Sequence, residues 1–186
     1  YLLFMSSTTC RKPFDVAFGN FGSEIVIVGI KYVLFFTFIA NHAATRHASA
    51  SFGRIGRLGT IQSYLSCAYL PNATCVVGTA DGHLYVFEGS SRELAKSIKA
   101  HDGFIYSMDA PWHRAEQVRA IVLVTGARDG DIKLWNGALE IISKFDNRGA
   151  GPIRSVFTSA DSSRILVGSQ AAAQLREFRT SDGVPT

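Results

Sequence analysis

The sequence predicts an all-β fold made of about four repeated, antiparallel, four-stranded units, and three observations support this. Apolar runs rich in Val, Ile, Phe and Tyr recur along the chain, and such runs are typical of strands. The segment VTGARDGDIKLWNG at 124–137 has a close copy, VVGTADGHLYVFEG, at 76–89. Four glycines are separated, by subtraction, by 49, 48 and 42 residues, which is about the length of a propeller blade: Gly29, Gly78, Gly126 and Gly168.

The composition indicates a folded chain with ample material for a core. Of its 186 residues, 47% are hydrophobic and 18% are charged, and the net charge is only +4. The apolar stretch 24–40 contains Glu24 and Lys31 and is shorter than the roughly 20 residues of a spanning helix, so we interpret it as two buried strands. Three cysteines without CxxC spacing argue against a disulfide framework or a zinc site and favour a reducing compartment.

The repeats divide the chain into successive units. Each unit has a strand before its glycine-containing strand, and we see no convincing helix. A small, basic, Gly-containing segment between two units is interpreted as a loop. The predicted division is therefore 1–43 as a first, partial unit, 44–59 as the connecting loop, 60–100 as the second unit, 101–147 as the third, and 148–186 as an incomplete fourth.

Two Asp-Gly pairs stand between the second and third strands of their units, at Asp81-Gly82 and Asp129-Gly130. Asp-Gly is a strong hairpin signal because both central turn positions can require a positive φ, which Gly tolerates. Runs such as AIVLVTG are apolar on both faces, which is expected for sheets that have a neighbour on each side. We therefore predict that the aromatic residue ending the third strand packs against the neighbouring sheet.

This pattern resembles the WD40 repeat, whose fuller form carries a hydrogen-bonded tetrad of His, Ser or Thr, Asp and Trp. A buried imidazole between a carboxylate and a hydroxyl satisfies polar groups that would otherwise cost about 1–3 kcal/mol each. The resemblance implies an all-β, partial WD40-type β-propeller of about four four-stranded antiparallel blades. One unit matches the tetrad at every position: His101, Thr125, Asp129 and Trp135.

Some positions depart from the repeat. Ala100 stands where Gly usually precedes the His, and Asn136 rather than Asp follows the Trp. Phe87 and Phe178 replace the Trp in two other units. The tetrad is therefore complete only once in this sequence.

Nearly the whole chain beyond about residue 13 is similar to the N-terminal propeller of the echinoderm microtubule-associated protein-like (EML) family. A short Gly-x-Lys-aromatic unit at 29–32, which lacks Asp-Gly, and the strand entry GPIRSV at 151–156 carry this resemblance. In that family the propeller, joined to a second one, binds tubulin. The resemblance implies a cytoplasmic, cytoskeletal scaffold. Since such propellers have about seven blades, we expect the remaining blades to come from a part of the protein outside this sequence.

The sequence contains no convincing catalytic, cofactor-binding or metal-binding motif, so we expect a non-enzymatic protein without a cofactor. Asp81, Asp129 and Asp131 are interpreted as turn residues and exposed charge. The histidines are scattered without HExxH, and the Gly-rich FGRIGRLG at 52–59 opens no predicted helix. Two alternatives stay open: a generic WD40 adaptor in another complex, and a fragment of a propeller hydrolase or oxidoreductase.

Basic residues in loops or near strand ends are the candidate partner contacts. The acidic tails of tubulin would favour such a rim electrostatically, with strong salt sensitivity. Neither an amphipathic helix nor an aromatic–basic interleaving is present, so we expect neither nucleic acid nor a membrane as partner. The candidates are Arg54, Arg57, Lys99, Arg128 and Arg148.

Overall fold

The computed structural model of the protein describes residues 12–19, 22–40, 46–111, 121–147, 149, 151–170 and 175–184. These residues form fifteen β-strands in four antiparallel sheets, which we call blades 1 to 4. Blade 1 contains β1 (Pro13–Phe18), β2 (Glu24–Gly29), β3 (Tyr32–Ala40) and β4 (Arg46–Phe52). Blade 2 contains β5 (Tyr64–Tyr69), β6 (Cys75–Thr79), β7 (His83–Phe87) and β8 (Leu94–Lys99). Blade 3 contains β9 (Ile105–Asp109), β10 (Leu123–Ala127), β11 (Asp131–Trp135) and β12 (Ile141–Asp146), and blade 4 contains β13 (Ile153–Thr158), β14 (Arg164–Ser169) and β15 (Leu175–Arg179).

Each blade is a meander in which consecutive strands are neighbours in the sheet. The prediction of an all-β fold built from repeated antiparallel units is confirmed. The apolar stretch 24–40 forms β2 and β3, as its Val, Ile and Phe content predicts. Within the described ranges there is no helix long and apolar enough to cross a membrane.

The predicted loop at 44–59 is wrong in its first half, because β4 occupies Arg46–Phe52 and pairs with β3. Blade 1 therefore has four strands and is not partial. The sequence of β4 is small and polar, but an outermost strand needs only one paired edge and no continuous apolar run. Small residues also stand opposite large ones, as Ala50 does opposite Phe36.

The innermost strands β1, β5, β9 and β13 contact one another in series, so the blades fan out from this row of strands. An innermost strand lies at the edge of its sheet and has backbone groups that its own sheet leaves unpaired. Side chains of neighbouring innermost strands bind some of these groups. The Asp15 carboxylate accepts from the Cys67 N–H at 2.9 Å, the Ser66 hydroxyl donates to the Ile105 carbonyl at 3.0 Å, and the Asp109 carboxylate accepts from the Thr158 N–H at 2.7 Å.

An aromatic residue at or next to the end of the third strand of blades 2, 3 and 4 packs against the preceding blade, which confirms the predicted packing on a neighbour. Phe87 meets Phe35 of blade 1 with ring centroids 5.6 Å apart. Trp135 belongs to an apolar cluster with residues of blade 2, and Phe178 belongs to a cluster with residues of blade 3. Most of the core thus lies in three layers of side chains between the four sheets, and a smaller buried cluster of Tyr32, Leu34 and Phe36 lies on blade 1.

The recurrent glycines of β6 and β10 lie where the next blade approaches most closely. A Cβ on Gly126 would lie 2.4 Å from Cγ2 of Ile153, the first residue of β13. A Cβ on Gly78 would lie 2.9 Å from Cγ2 of Ile105, the first residue of β9. Both glycines therefore admit the isoleucine of the following blade, and at Gly78 the Ser66 hydroxyl of the same blade lies closer still, at 2.4 Å from an added Cβ.

Two sheet faces have no sheet packed on them within the described part of the chain. On blade 4, Phe157 and Leu175 are 68% and 72% exposed. On blade 1, Val16 and Phe18 are 57% and 64% exposed. Between blades, faces of this apolar kind are covered by the next sheet.

We expect Gly126→Ala to destabilise the fold by about 1–3 kcal/mol, because the added methyl would overlap Ile153 and Val156. Gly137→Ala is the matched control, since a Cβ there meets nothing within 4 Å and Gly137 is not among the glycines with positive φ. Its free energy of unfolding should change by less than about 0.5 kcal/mol. Urea unfolding of both variants is the measurement, and equal stabilities would contradict the close-approach explanation.

Candidate functional site

The four residues of the predicted tetrad form one hydrogen-bonded chain inside blade 3. The connection after β8 supplies the imidazole, β10 the hydroxyl, the β10–β11 turn the carboxylate, and the end of β11 the indole. His101 Nδ1 lies 3.0 and 3.1 Å from the two carboxylate oxygens of Asp129, and its Nε2 lies 2.7 Å from Thr125 Oγ1. Trp135 Nε1 donates to the same hydroxyl at 3.0 Å.

The direction of these hydrogen bonds follows from what each group can donate. The indole N–H only donates, so the Thr125 oxygen accepts from Trp135 and its own hydrogen is free to point at His101 Nε2. An ionised carboxylate only accepts, so Nδ1 of His101 carries the hydrogen that points at Asp129. With this assignment every polar side-chain atom of the tetrad has a hydrogen-bond partner.

The tetrad is almost sealed from solvent, with His101, Thr125 and Trp135 all fully buried. Asp129 also accepts from the backbone N–H groups of Asp102 at 2.9 Å and Asp131 at 3.0 Å. Partial burial acts to raise the pKa of Asp129, but the hydrogen bond from His101, together with the two backbone N–H groups, outweighs it. The pKa of Asp129 therefore lies well below its ordinary value, and the side chain stays ionised as the acceptor for three N–H donors.

The Asp-Gly pairs do form the hairpin turns, but not with the predicted geometry. Gly130 N–H donates to the Ala127 carbonyl at 3.2 Å, so Asp129 and Gly130 are the third and fourth residues of the turn. Only the glycine has a positive φ, +84°, as Gly82 has at +86° in blade 2. This is a turn closed by a left-handed glycine, and the Asp is free to point its side chain inward.

Asp81 of blade 2 occupies the corresponding turn but has other partners. It accepts from the Thr79 hydroxyl at 2.6 Å and lies 3.0 Å from His83 Nδ1, while its N–H donates to Gln62. Burial acts to raise the pKa of Asp81, but hydrogen bonds from Thr79, Gln62 and His83 have the larger, opposite effect and lower the pKa to about 2. Blade 2 thus keeps the turn carboxylate without the buried imidazole chain.

The order Thr125–His101–Asp129 has the distances of a nucleophile, base and carboxylate, yet its surroundings favour a structural role. A substrate needs access to the hydroxyl, and Thr125 is 0% exposed and already binds Trp135. Ligand atoms of His101, Asp129 and Asp131 lie within 4.8 Å of one another. Both His101 ring nitrogens are occupied, and Asp131 pairs with Lys144 at 2.8 Å, so a cation there would have to break existing contacts.

The predicted basic contacts do not form one patch. Lys99 and Arg128 flank the connection 100–104, where Lys99 Nζ donates to the Asp81 carbonyl at 2.8 Å. Arg54 pairs with Glu93 at 2.9 Å beside the start of β8, and Arg57 is exposed in the connection before β5. Arg148 lies outside the described residues.

Several contacts at this site could not be read from the sequence. Lys133 Nζ donates to the Ala100 carbonyl, next to the tetrad histidine. At the corresponding place in blade 2, the Tyr85 hydroxyl accepts from the Thr60 N–H at 2.8 Å. Tyr85 and Lys133 stand at the same position when β7 is aligned with β11. Both bind the backbone of the connection that enters the blade and so hold it to the third strand. Because a tyrosine and a lysine differ so much in chemistry, the sequence does not reveal this shared role.

A comparison with known families supports the assignment of this blade as a WD40 repeat. Residues 92–136 match the family model described as WD domain, G-beta repeat. The matched segment runs from the start of β8 to the end of β11 and contains all four tetrad residues. With its antiparallel blades and aromatic third strands, the fold is a WD40-type β-propeller, of which the described residues form four blades.

We expect Thr125→Val to lower the free energy of unfolding by about 2–4 kcal/mol, because it leaves His101 Nε2 and Trp135 Nε1 buried without partners. The shape is tolerated, since β6 carries buried Val77 at the corresponding position. Thr125→Ser keeps the hydroxyl and should lose only about 1 kcal/mol for the missing methyl. Urea unfolding distinguishes these outcomes, and a valine variant as stable as the serine variant would contradict the role of the hydroxyl.

Acid should destabilise the fold through the two turn carboxylates. Their pKa values are lowered in the folded state, to about 2 for Asp81, so between that value and the unfolded pKa of about 4 the unfolded chain binds more protons. Stability should be fully present above about pH 4 and decline as the pH falls towards 2. Asp81→Asn should show a shallower decline in unfolding midpoint over this range, and an unchanged slope would contradict the assignment.

Proposed function

We propose that the protein is a non-catalytic scaffold that binds protein partners and that its partner is tubulin or the microtubule. The WD40-type fold supports the first part, because WD40 domains generally bind proteins. The resemblance to the EML family supports the second part. The same resemblance, with the buried free thiols of Cys67 and Cys75, favours a cytoplasmic location at the cytoskeleton.

One observation carries the proposal: the tetrad holds together two loop segments that lie beside two exposed, positively charged side chains. Asp129 binds both the imidazole of His101 and the N–H of Asp102, so the β10–β11 turn and the connection 100–104 are held together. Two exposed cationic side chains stand beside these segments: Lys99, the last residue of β8, and Arg128, in the β10–β11 turn. A preordered loop loses less entropy on binding than a mobile one, which favours recognition at this place.

Charge supports an acidic partner. The chain has a net charge of +4, and Arg128 makes no ion pair within the described residues. The acidic tails of tubulin would attract such a surface over about a Debye length, roughly 8–10 Å at physiological salt. Binding of this kind is fast to form and sensitive to salt.

Sedimentation with taxol-stabilised microtubules tests the proposal. We expect the full chain to sediment with microtubules at low salt and to be released as salt rises, because the attraction is electrostatic. Microtubules whose acidic carboxyl-terminal tails have been removed by limited proteolysis should retain less protein.

A matched pair of charge reversals sharpens this test. Lys99→Glu should weaken sedimentation by about tenfold, whereas Lys96→Glu, at another exposed lysine in the middle of β8, should have little effect. A chain that stays in the supernatant at every salt concentration, while remaining folded by circular dichroism, would remove tubulin as the partner. The generic WD40 adaptor would then be the better explanation.

A further inference from the structure

Two aromatic rings and two arginines form a cluster at the edge between blades 3 and 4, which we call the arginine–aromatic cluster. Phe104 directly precedes β9, and Tyr106 lies on it. Arg128 comes from the β10–β11 turn and Arg154 from β13. The backbone N–H of Arg128 donates to the Phe104 carbonyl at 2.9 Å, so the β10–β11 turn is fixed beside the Phe104 ring.

The cluster has a defined stacked geometry. The Phe104 and Tyr106 rings meet edge to face, with centroids 5.7 Å apart. The guanidinium carbon of Arg154 lies 3.8 Å from the Tyr106 centroid, and that of Arg128 lies 5.4 Å from the Phe104 centroid. Gln170 further orients Arg154, because its carbonyl oxygen accepts from Nε at 2.7 Å and from Nη2.

These two arginines differ from most others that the structure describes. Four arginines pair with carboxylates: Arg54 with Glu93, Arg92 with Glu24, Arg164 with Glu177, and Arg179 with Asp182. In the described part of the chain, neither Arg128 nor Arg154 has a carboxylate partner, although both are exposed. Their positive charge is held in place by ring contacts and remains uncompensated.

Stacking leaves a particular part of each arginine available. A ring covers one face of the guanidinium plane, while N–H groups at its rim can still bind a carboxylate in a bidentate manner; on Arg154 these are the ones at the Nη1/Nη2 end, because Gln170 binds the Nε edge. Because the rings and Gln170 already restrict the side chains, little entropy is lost when a carboxylate binds. The cluster therefore has the chemistry to bind carboxylate side chains.

The surrounding charges favour a peptide over nucleic acid. The side chain of Asp102 is 93% exposed and lies in the connection that leads to Phe104. A continuous phosphate backbone passing here would meet this negative charge, whereas a peptide can place its acidic residues on the arginines and neutral ones elsewhere. The modest net charge of +4 agrees with this.

We propose that the arginine–aromatic cluster binds an acidic, Asp- or Glu-rich peptide segment of the partner protein, with Arg128 and Arg154 receiving its carboxylates. This inference rests on the proposed protein-binding function and narrows it to one surface and one chemical class. Of these residues only Arg128 stood out in the sequence.

Fluorescence anisotropy of a short, fluorescein-labelled Glu-rich peptide tests the inference on the full chain. The wild type should bind it, and a counterpart with every Glu replaced by Gln should bind far more weakly. The double variant Arg128→Gln/Arg154→Gln should lose at least about tenfold in affinity, the value of one to two charged hydrogen bonds. Arg57→Gln/Lys96→Gln is the matched control, because it removes the same two positive charges from exposed sites elsewhere, in the connection between β4 and β5 and on β8.

Arg154→Lys provides a second readout that a bulk charge effect would not move. It keeps the charge but lacks the planar fork, so binding to the Glu-rich peptide should still weaken several-fold. Unchanged circular dichroism spectra and melting midpoints confirm that each variant is folded. Equal peptide binding by the wild type and the double variant would overturn the inference, and so would equal binding of the Glu and Gln peptides, the absence of any binding, or tighter binding of single-stranded DNA.

Microtubule sedimentation of the same variants separates this inference from the proposed function. If microtubules sediment the double variant as well as the wild type, the cluster is not the contact, although tubulin remains the partner. If the Glu-rich peptide binds through the two arginines but microtubules do not sediment the wild type, the cluster stands and tubulin is the wrong partner. Loss of both interactions in the double variant supports both.

Discussion

The structure depends on one constraint: the faces on which successive sheets meet are apolar and need a neighbouring sheet to cover them. The three clusters between blades contain nearly all of the large buried side chains, and residues of two successive blades contribute to each. An aromatic side chain near the end of the third strand of blades 2, 3 and 4 packs against the preceding blade. Since most of the buried side chains lie between successive blades, the sheets stack in order along the innermost strands.

Polar contacts then fix the blades relative to one another at two levels. At the innermost strands, Asp15, Ser66 and Asp109 bind backbone groups of the following blade. Farther out, the tetrad joins the connection after β8 to the turn of blade 3, so the chain entering a blade is tied to the blade itself. Apolar packing determines that the sheets meet, and these directional bonds determine the register in which they meet.

The sequence carried most of the fold and part of the site. Strands were predictable because their apolar runs are long and the copies at 76–89 and 124–137 align residue by residue. The strand β4 could not be predicted because it is held by backbone pairing to β3, and its small and polar residues lack the apolar pattern that indicates a strand. The tetrad residues were found from a fixed spacing, whereas Arg154 meets Tyr106 only through the stacking of two blades, which no single repeat contains.

The glycine–isoleucine contacts at two successive interfaces also limit the ways in which such a chain can gain residues during evolution. Gly78 admits Ile105, and Gly126 admits Ile153, so blades 2 and 3 present the same hollow and blades 3 and 4 insert the same branched side chain. A gene segment that encodes one whole unit could be duplicated between them, and both new junctions would fit without compensating change. An insertion of part of a unit would place a side chain in the hollow, so growth by complete repeats is the route that sterics leave open.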